Sequence, residues 1–346
     1  MQKFHEKCTV SGKKQPKIEK KQFLLEDYTN AEIKMKLLCQ FKVEPHKMAL
    51  VGDEIWMLMF QEDAIVIMAY DSAAETVKMS RCIHVHETVE KRAIFRKTQN
   101  IEVRYGVNAI ENSLFGTICA CWCGTEQRRD VTRRDIGLVI IDREGLIKET
   151  ITSGKYCDVK ADIDLVYGFE LLELKITVHM KQPQTGGLRT STDSARWQLI
   201  REIAFKEEFF RMTLYFDSIF LSGPKLRAIL ELQLDTDQKI KHSIAYKATK
   251  YDSYWPHVSA VDEVGNVLIC DEKNGRLAVL MYDDTWRLLH IKQKIRPCDA
   301  IRDRDNNLLT LNFDTKSIDK LVIGKTLTSE ERALLSSEGE QEGGDD

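Results

Sequence analysis

Proline is scarce in this 346-residue chain, at 6 residues, and no run of about 18 uninterrupted apolar residues occurs. The second absence argues against a membrane-spanning helix. The first residues, Met1-Gln2-Lys3-Phe4-His5-Glu6-Lys7, carry basic groups with no apolar core behind them, so no secretory signal is expected. The 9 cysteines are odd in number and build no compact framework. They point to free thiols in a reducing, cytoplasmic compartment. Signatures of common enzymes are missing as well. There is no Gly-x-Ser-x-Gly, no P-loop, no His-Glu-x-x-His and no dinucleotide fingerprint. No catalytic residue, cofactor or metal is therefore expected.

What is present is an ordinary globular composition, with 43% apolar and 30% charged residues. It excludes collagen, a long coiled coil and global disorder. The length suits two average domains or one large all-β domain. The net charge of −3 hides two opposite ends. Residues 1–22 hold seven Lys against two Glu, and residues 329–346 hold seven acids against Arg332. Residues 1–30 are expected to be a basic flexible tail, and 326–346 an acidic disordered one. The middle is nearly neutral, where a dedicated nucleic-acid domain would be basic.

Internal repeats set the architecture. Residues 255–283 and 296–323 match at a fixed offset. Pro256 answers Pro297, Asp262 answers Asp303, Asn266 answers Asn307 and Leu268 answers Leu309. Residues 45–71 begin the same way, with Pro45-His46 against Pro256-His257. Leu138–Gly145 reads as the end of another unit, and Leu214–Leu232 as the centre of one more.

Each unit reads as short strands between turns. In the best copy the strands are Val258–Val261, Val267–Cys270, Arg276–Tyr282 and Trp286–Ile291. Short apolar runs bounded by turn residues are strands buried on both faces. Four strands in a unit of this size make a propeller blade. Residues 31–325 are thus expected to form an all-β propeller of six four-stranded blades, at about 49 residues each. The last unit shows only three strands, whereas residues 33–43 supply one strand with no unit of its own. That N-terminal strand is expected to complete the last blade and remove the open edges.

The best repeat resembles the NHL repeat. Pro256, Gly265-Asn266 and Asp271-Glu272-Lys273-Asn274-Gly275-Arg276-Leu277 carry the resemblance. The last unit keeps Pro297 and Asn306-Asn307 but has Ser317 where Arg is expected. The resemblance covers about 70 residues. In that family such propellers often close tripartite-motif ubiquitin ligases and bind proteins or structured RNA. This chain has no RING or B-box zinc spacing and no long heptad segment. The resemblance therefore implies a recognition module alone.

Three segments are candidate sites. Arg128, Arg129, Arg133 and Arg134 lie in the polar stretch 124–135, and four guanidinium groups so close can grip phosphates or carboxylates. A solvated hairpin loop is the plainer reading, since Asp130 and Asp135 partly neutralise them. Tyr254, Trp255 and His257 stand just before a first strand, where they anchor a partner or pack between blades. Cys119, Cys121 and Cys123 alternate, so in a strand they share one face, yet their sulfurs spread over about 13 Å. Core packing explains them better than a metal. The loop 183–194 is long, polar and expected to be mobile.

The expected function is non-enzymatic recognition of a macromolecule, protein ahead of RNA. If RNA is bound, affinity falls steeply with salt. The alternative from another class is a hydrolase resembling six-bladed lactonases, which hold calcium on the ring axis. Calcium needs six to eight oxygens.

Overall fold

A computed structural model describes residues 31–42, 44–59, 64–92, 98–122, 136–182, 197–206, 211–215, 218–223, 228–234, 240–247, 256–261, 267–271, 276–282, 286–291, 297–305 and 307–325. All regular structure among them is β. No helix there is long and apolar enough to cross a membrane.

The strands come in fours. The first set is β2 (Pro45–Val51), β3 (Glu54–Met59), β4 (Ala64–Asp71) and β5 (Thr76–Arg92). The strand before it is β1 (Ala31–Gln40). The second set is β6 (Thr98–Ser113), β7 (Gly116–Trp122), β8 (Gly137–Ile141) and β9 (Ile147–Ser153). The third is β10 (Tyr156–Ala161), β11 (Leu165–Glu170), β12 (Lys175–Lys181) and β13 (Trp197–Ala204). The fourth is β14 (Arg211–Tyr215), β15 (Ser218–Gly223), β16 (Ala228–Leu234) and β17 (Ile240–Lys247). The fifth is β18 (Pro256–Val261), β19 (Val267–Asp271), β20 (Arg276–Tyr282) and β21 (Trp286–Ile291). The last three strands are β22 (Pro297–Arg302), β23 (Leu308–Asn312) and β24 (Ser317–Lys325).

Within each set, neighbours in sequence pair antiparallel. The last set lacks a fourth strand of its own, and β1 supplies it. Ala31 pairs with Lys325 and Gln40 with Ser317 along an antiparallel ladder. The closure expected from the sequence is therefore present, with the strand at 31–40. The first strands β2, β6, β10, β14, β18 and β22 touch in that order, and β22 touches β2. They form a closed ring, and the fold is a β-propeller.

The packing follows from strand periodicity. Ile55 and Met57 face Leu309, Leu311 and Ile318 of the last set. Trp56 and Leu58, one residue over, face Ile110, Cys119 and Val139 of the second. Successive side chains of one strand thus fill two different inter-sheet cores. This is why β8, β15 and β23 are buried along their whole length. Alternating polarity would leave one face wet.

The repeat signature has a physical basis. Asp303 Oδ1 accepts from the amides of Asp305 (2.9 Å) and Asn307 (2.7 Å), and Oδ2 accepts from Asn307 Nδ2 (2.8 Å). Tyr70 of the first set donates to the same Oδ2 at 2.6 Å. Asp142 repeats the turn, taking the amides of Glu144 (3.0 Å) and Leu146 (2.9 Å). Asp accepting the amide four residues later, just ahead of the next strand, is a side-chain-closed turn.

β5 and β6 have 17 and 16 residues, and they pair well beyond their sheets. The pairing of β4 with β5 ends at Ala64 and His84, and that of β6 with β7 starts at Gly106 and Trp122. Between these limits eight rungs, Val85–Tyr105 to Arg92–Thr98, form a two-stranded ribbon of about 25 Å. It joins the first two sets into one eight-stranded sheet.

Candidate functional site: one end of the ring

The starts of the first strands meet inside the ring. Pairing slips between Pro45 and Lys47 in β2, between Tyr156 and Asp158 in β10, and between Pro297 and Asp299 in β22. A bulge sets two residues against one and re-aims a side chain. Lys47, Asp158 and Asp299 each follow such a bulge.

Lys47 forms an ion pair with Asp158 across the ring, both almost wholly buried. Asp158 Oδ1 also accepts the Val159 amide (3.0 Å), and Oδ2 accepts the Met212 amide (2.7 Å). Asp299 Oδ2 accepts the Met48 amide at 2.9 Å. Lys160 pairs with Glu111 at 2.6 Å. Arg211, which opens β14, sends Nη2 to the carbonyl oxygen of His46 on β2 at 3.3 Å. In the ring β2 and β14 stand three positions apart, on opposite sides. Asn108 Nδ2 donates to the Tyr156 carbonyl oxygen at 3.1 Å, so the start of the second set lies at the same level.

The electrostatics follow from burial and from this crowd of cations. The His46 imidazole is pushed down to about 3, first by burial and then by Arg211 and Lys47. His257 is pushed down to about 3 by the same causes in the same order. Both rings are neutral near pH 7. Burial pushes the Lys47 ammonium down while Asp158 opposes the shift. For Asp158, burial acts upward, but Lys47, Lys160 and Arg211 together hold the carboxyl below its usual range.

The structure sorts the sequence candidates. His257 lies on β18, and burial, Arg211 and Lys47 act together on its imidazole. Tyr254 and Trp255 lie outside the described residues, as do Arg128, Arg129, Arg133, Arg134, Cys123 and the loop 183–194. Cys119 and Cys121 are buried in the core between the first two sets. Among the described residues, no group of three or more His, Cys, Asp and Glu is placed to hold a metal ion. Sequence reasoning missed Lys47, Asp158, Arg211 and Asp299; the Pro-His pairs at 45–46 and 256–257 were the available signal.

The ribbon stands at this same end. Trp122, 39% exposed, is the last residue of β7 and pairs with Gly106 at the ribbon base. A Cβ on Gly106 would collide with the Trp122 indole, so the ring lies flat on that glycine. The chain leaves Trp122 into the segment that carries Arg128–Arg134 and returns at Ile136, which packs on the adjoining core. On the other side the turn at Gly145 braces the ribbon: His86 donates its amide to the Gly145 carbonyl at 3.0 Å.

No known protein family and no curated protein matches this chain. Solved propeller structures do. A streptogramin B lyase matches with a TM-score of 0.54 at 11% identity, covering 86% of this chain and 100% of that one. A catalytically inactive virginiamycin B lyase from Staphylococcus aureus with quinupristin gives 0.52 at 11%, covering 84% and 100%. An auxiliary nutrient binding protein from Bacteroides thetaiotaomicron gives 0.52 at 9%, covering 85% and 77%. At such identities the likeness defines the fold and nothing finer.

Proposed function

We propose that this chain is a recognition propeller of six blades whose partner, a protein, docks at the end of the ring bearing the β5–β6 ribbon. One observation carries the reading. The ribbon's eight rungs continue past the ladders of β5 with β4 and of β6 with β7, its first rungs packed in the core, and the segment with Arg128, Arg129, Arg133 and Arg134 follows Trp122 in the chain. A two-stranded arm has two edges, and beyond His86, whose amide Gly145 takes, they offer backbone groups for strand addition. A partly exposed Trp, and Arg residues in the segment that follows it, are the side-chain types that anchor interfaces. Tyr254 and Trp255 immediately precede β18 in the sequence. The NHL-like residues of 256–323 support placing the chain with the recognition modules of ligase-type proteins. The free thiols support a reducing, cytoplasmic setting.

The test is a pull-down from matched cell extract, with and without nuclease. It compares the wild-type chain, a chain with residues 88–102 replaced by an Asn-Gly turn, and a chain with the four Arg changed to Ala. Proteins that survive nuclease and are lost with the shortened ribbon support the reading. Partners that nuclease removes mean RNA recognition instead, and partners unaffected by either variant overturn the site.

A further inference from the structure

One rung of the closing ladder gathers two segments of opposite charge. Ala31, the first residue of β1, pairs with Lys325, the last of β24. Opposed residues of an antiparallel pair stand about 5 Å apart. Residues 1–30 and 326–346, which lie outside the described residues, therefore depart from neighbouring points. Their sequences match in order, outward from the rung. Phe23-Leu24-Leu25 stand 6 to 8 residues before Ala31, and Ala333-Leu334-Leu335 stand 8 to 10 after Lys325. Beyond the first apolar group come Lys21, Lys20, Lys17, Lys14 and Lys13, with Glu19 among them. Beyond the second come Glu338, Glu340, Glu342, Asp345 and Asp346. The lysines lie 10 to 18 residues from the rung and the acids 13 to 21, so the two blocks reach to similar distances. The like-signed match is the one nearest the rung, Glu26-Asp27 against Glu330-Glu331, and Arg332 adjoins the second pair.

We propose that these two segments clasp each other within one chain, the lysines of 13–21 against the carboxylates of 338–346, and that the clasp holds β1 on β24. Opposite charge supplies the attraction, and the shared rung supplies proximity. Segments tethered at neighbouring points meet at an effective concentration in the millimolar range. Ion pairs that are weak singly in water then act together. A second copy, free in solution, has no such advantage. The strand that benefits is β1, which reaches the last set from the far end of the sequence and lies along β24 from Ala31–Lys325 to Gln40–Ser317. A terminal strand frays from its end unless that end is tied down. The clasp sits at that end. It concerns ring closure alone, so its failure leaves the ribbon reading standing.

The experiment is energy transfer between dyes attached at residues 1 and 346 of the full chain. Two variants change only residues outside the propeller. The first carries K13E, K14E, K17E, K20E and K21E. The second adds E338K, E340K, E342K, D345K and D346K, which restores opposite charge with the signs exchanged. Wild-type transfer is high at about 20 mM NaCl and falls at about 0.5 M, where charges are screened beyond a few ångströms. The first variant shows low transfer at both salt levels, and the second regains the wild-type response. At low salt the amides of Ile33–Gln40 exchange about tenfold faster in the first variant and return to the wild-type rate in the second. Chains carrying donor alone, mixed with chains carrying acceptor alone, give no transfer. Transfer that ignores salt, survives in the first variant or fails to return in the second would overturn the proposal. Transfer between mixed chains would overturn it in favour of association between copies, and unchanged exchange along β1 would overturn the hold on that strand.

Discussion

Lys47 and Asp158 form their buried ion pair between first strands that are not neighbours: β2 and β10 have β6 between them in the ring. The pair therefore runs through the interior of the ring and ties the first set to the third. The same carboxylate accepts the amides of Val159 and Met212, which hold it in place for the lysine.

Removing the lysine leaves that carboxylate buried and uncompensated. K47M is expected to cost about 3–5 kcal/mol in urea unfolding. Adding D158N to K47M should recover part of the loss, since a neutral amide oxygen still accepts from Met212. Costs that simply add would mean the two residues are not coupled.

The two central histidines set an acid limit. Both are pushed down to about 3 in the folded state, below the ordinary value of about 6.5 in the unfolded chain. Between those values the unfolded chain binds more protons, so stability falls as pH drops below about 6.5. Each group contributes a slope of up to about 1.4 kcal/mol per pH unit. Thermal melts from pH 8 to pH 4 should show a steep decline. H46Q/H257Q should flatten it.

Closure depends on β1. A chain beginning at Phe41 loses the ladder to β24 and the packing of Leu38 and Cys39 on the core shared by the first and last sets. The exposed edge of β24 then becomes a template for other chains. Size-exclusion chromatography should show aggregates where the longer chain elutes as a discrete species.

The turn under the ribbon admits only glycine. Gly145 has φ +87°, and an added Cβ would strike the His84 carbonyl oxygen. G145A is expected to destabilise by more than about 2 kcal/mol and to loosen the ribbon base, where His86 bonds to Gly145. Loss of protection at the His86 amide in hydrogen exchange would report the second effect directly.

The parts of the fold legible in sequence are those with local chemistry. The strands at 256–291 stand within two residues of their expected limits, because each is a short apolar run between turn residues. Asp303 and Asn307 were visible as a repeat because one side chain closes the turn with the other. β1 was legible through an imbalance, one strand too many at the start and one too few at the end. The ribbon was not. Glu87, Thr88, Glu90, Lys91 and Arg92 alternate weakly, and 17 residues exceeds the usual strand length of about 3–10. The central cluster was hidden for a different reason. Lys47 and Asp158 lie 111 residues apart and meet across non-neighbouring strands, a relation set by ring closure and by bulges. Of that cluster only His257 stands out in the sequence, as a residue before a first strand that anchors a partner or packs between blades.

Hydrogen–deuterium exchange of the chain alone and with a captured partner tests the recognition reading most directly. The reading predicts new protection along Val85–Arg92 and Thr98–Tyr105 and in the segment that follows Trp122. Protection confined to the outer strands of other sets, with the ribbon unchanged, would contradict it.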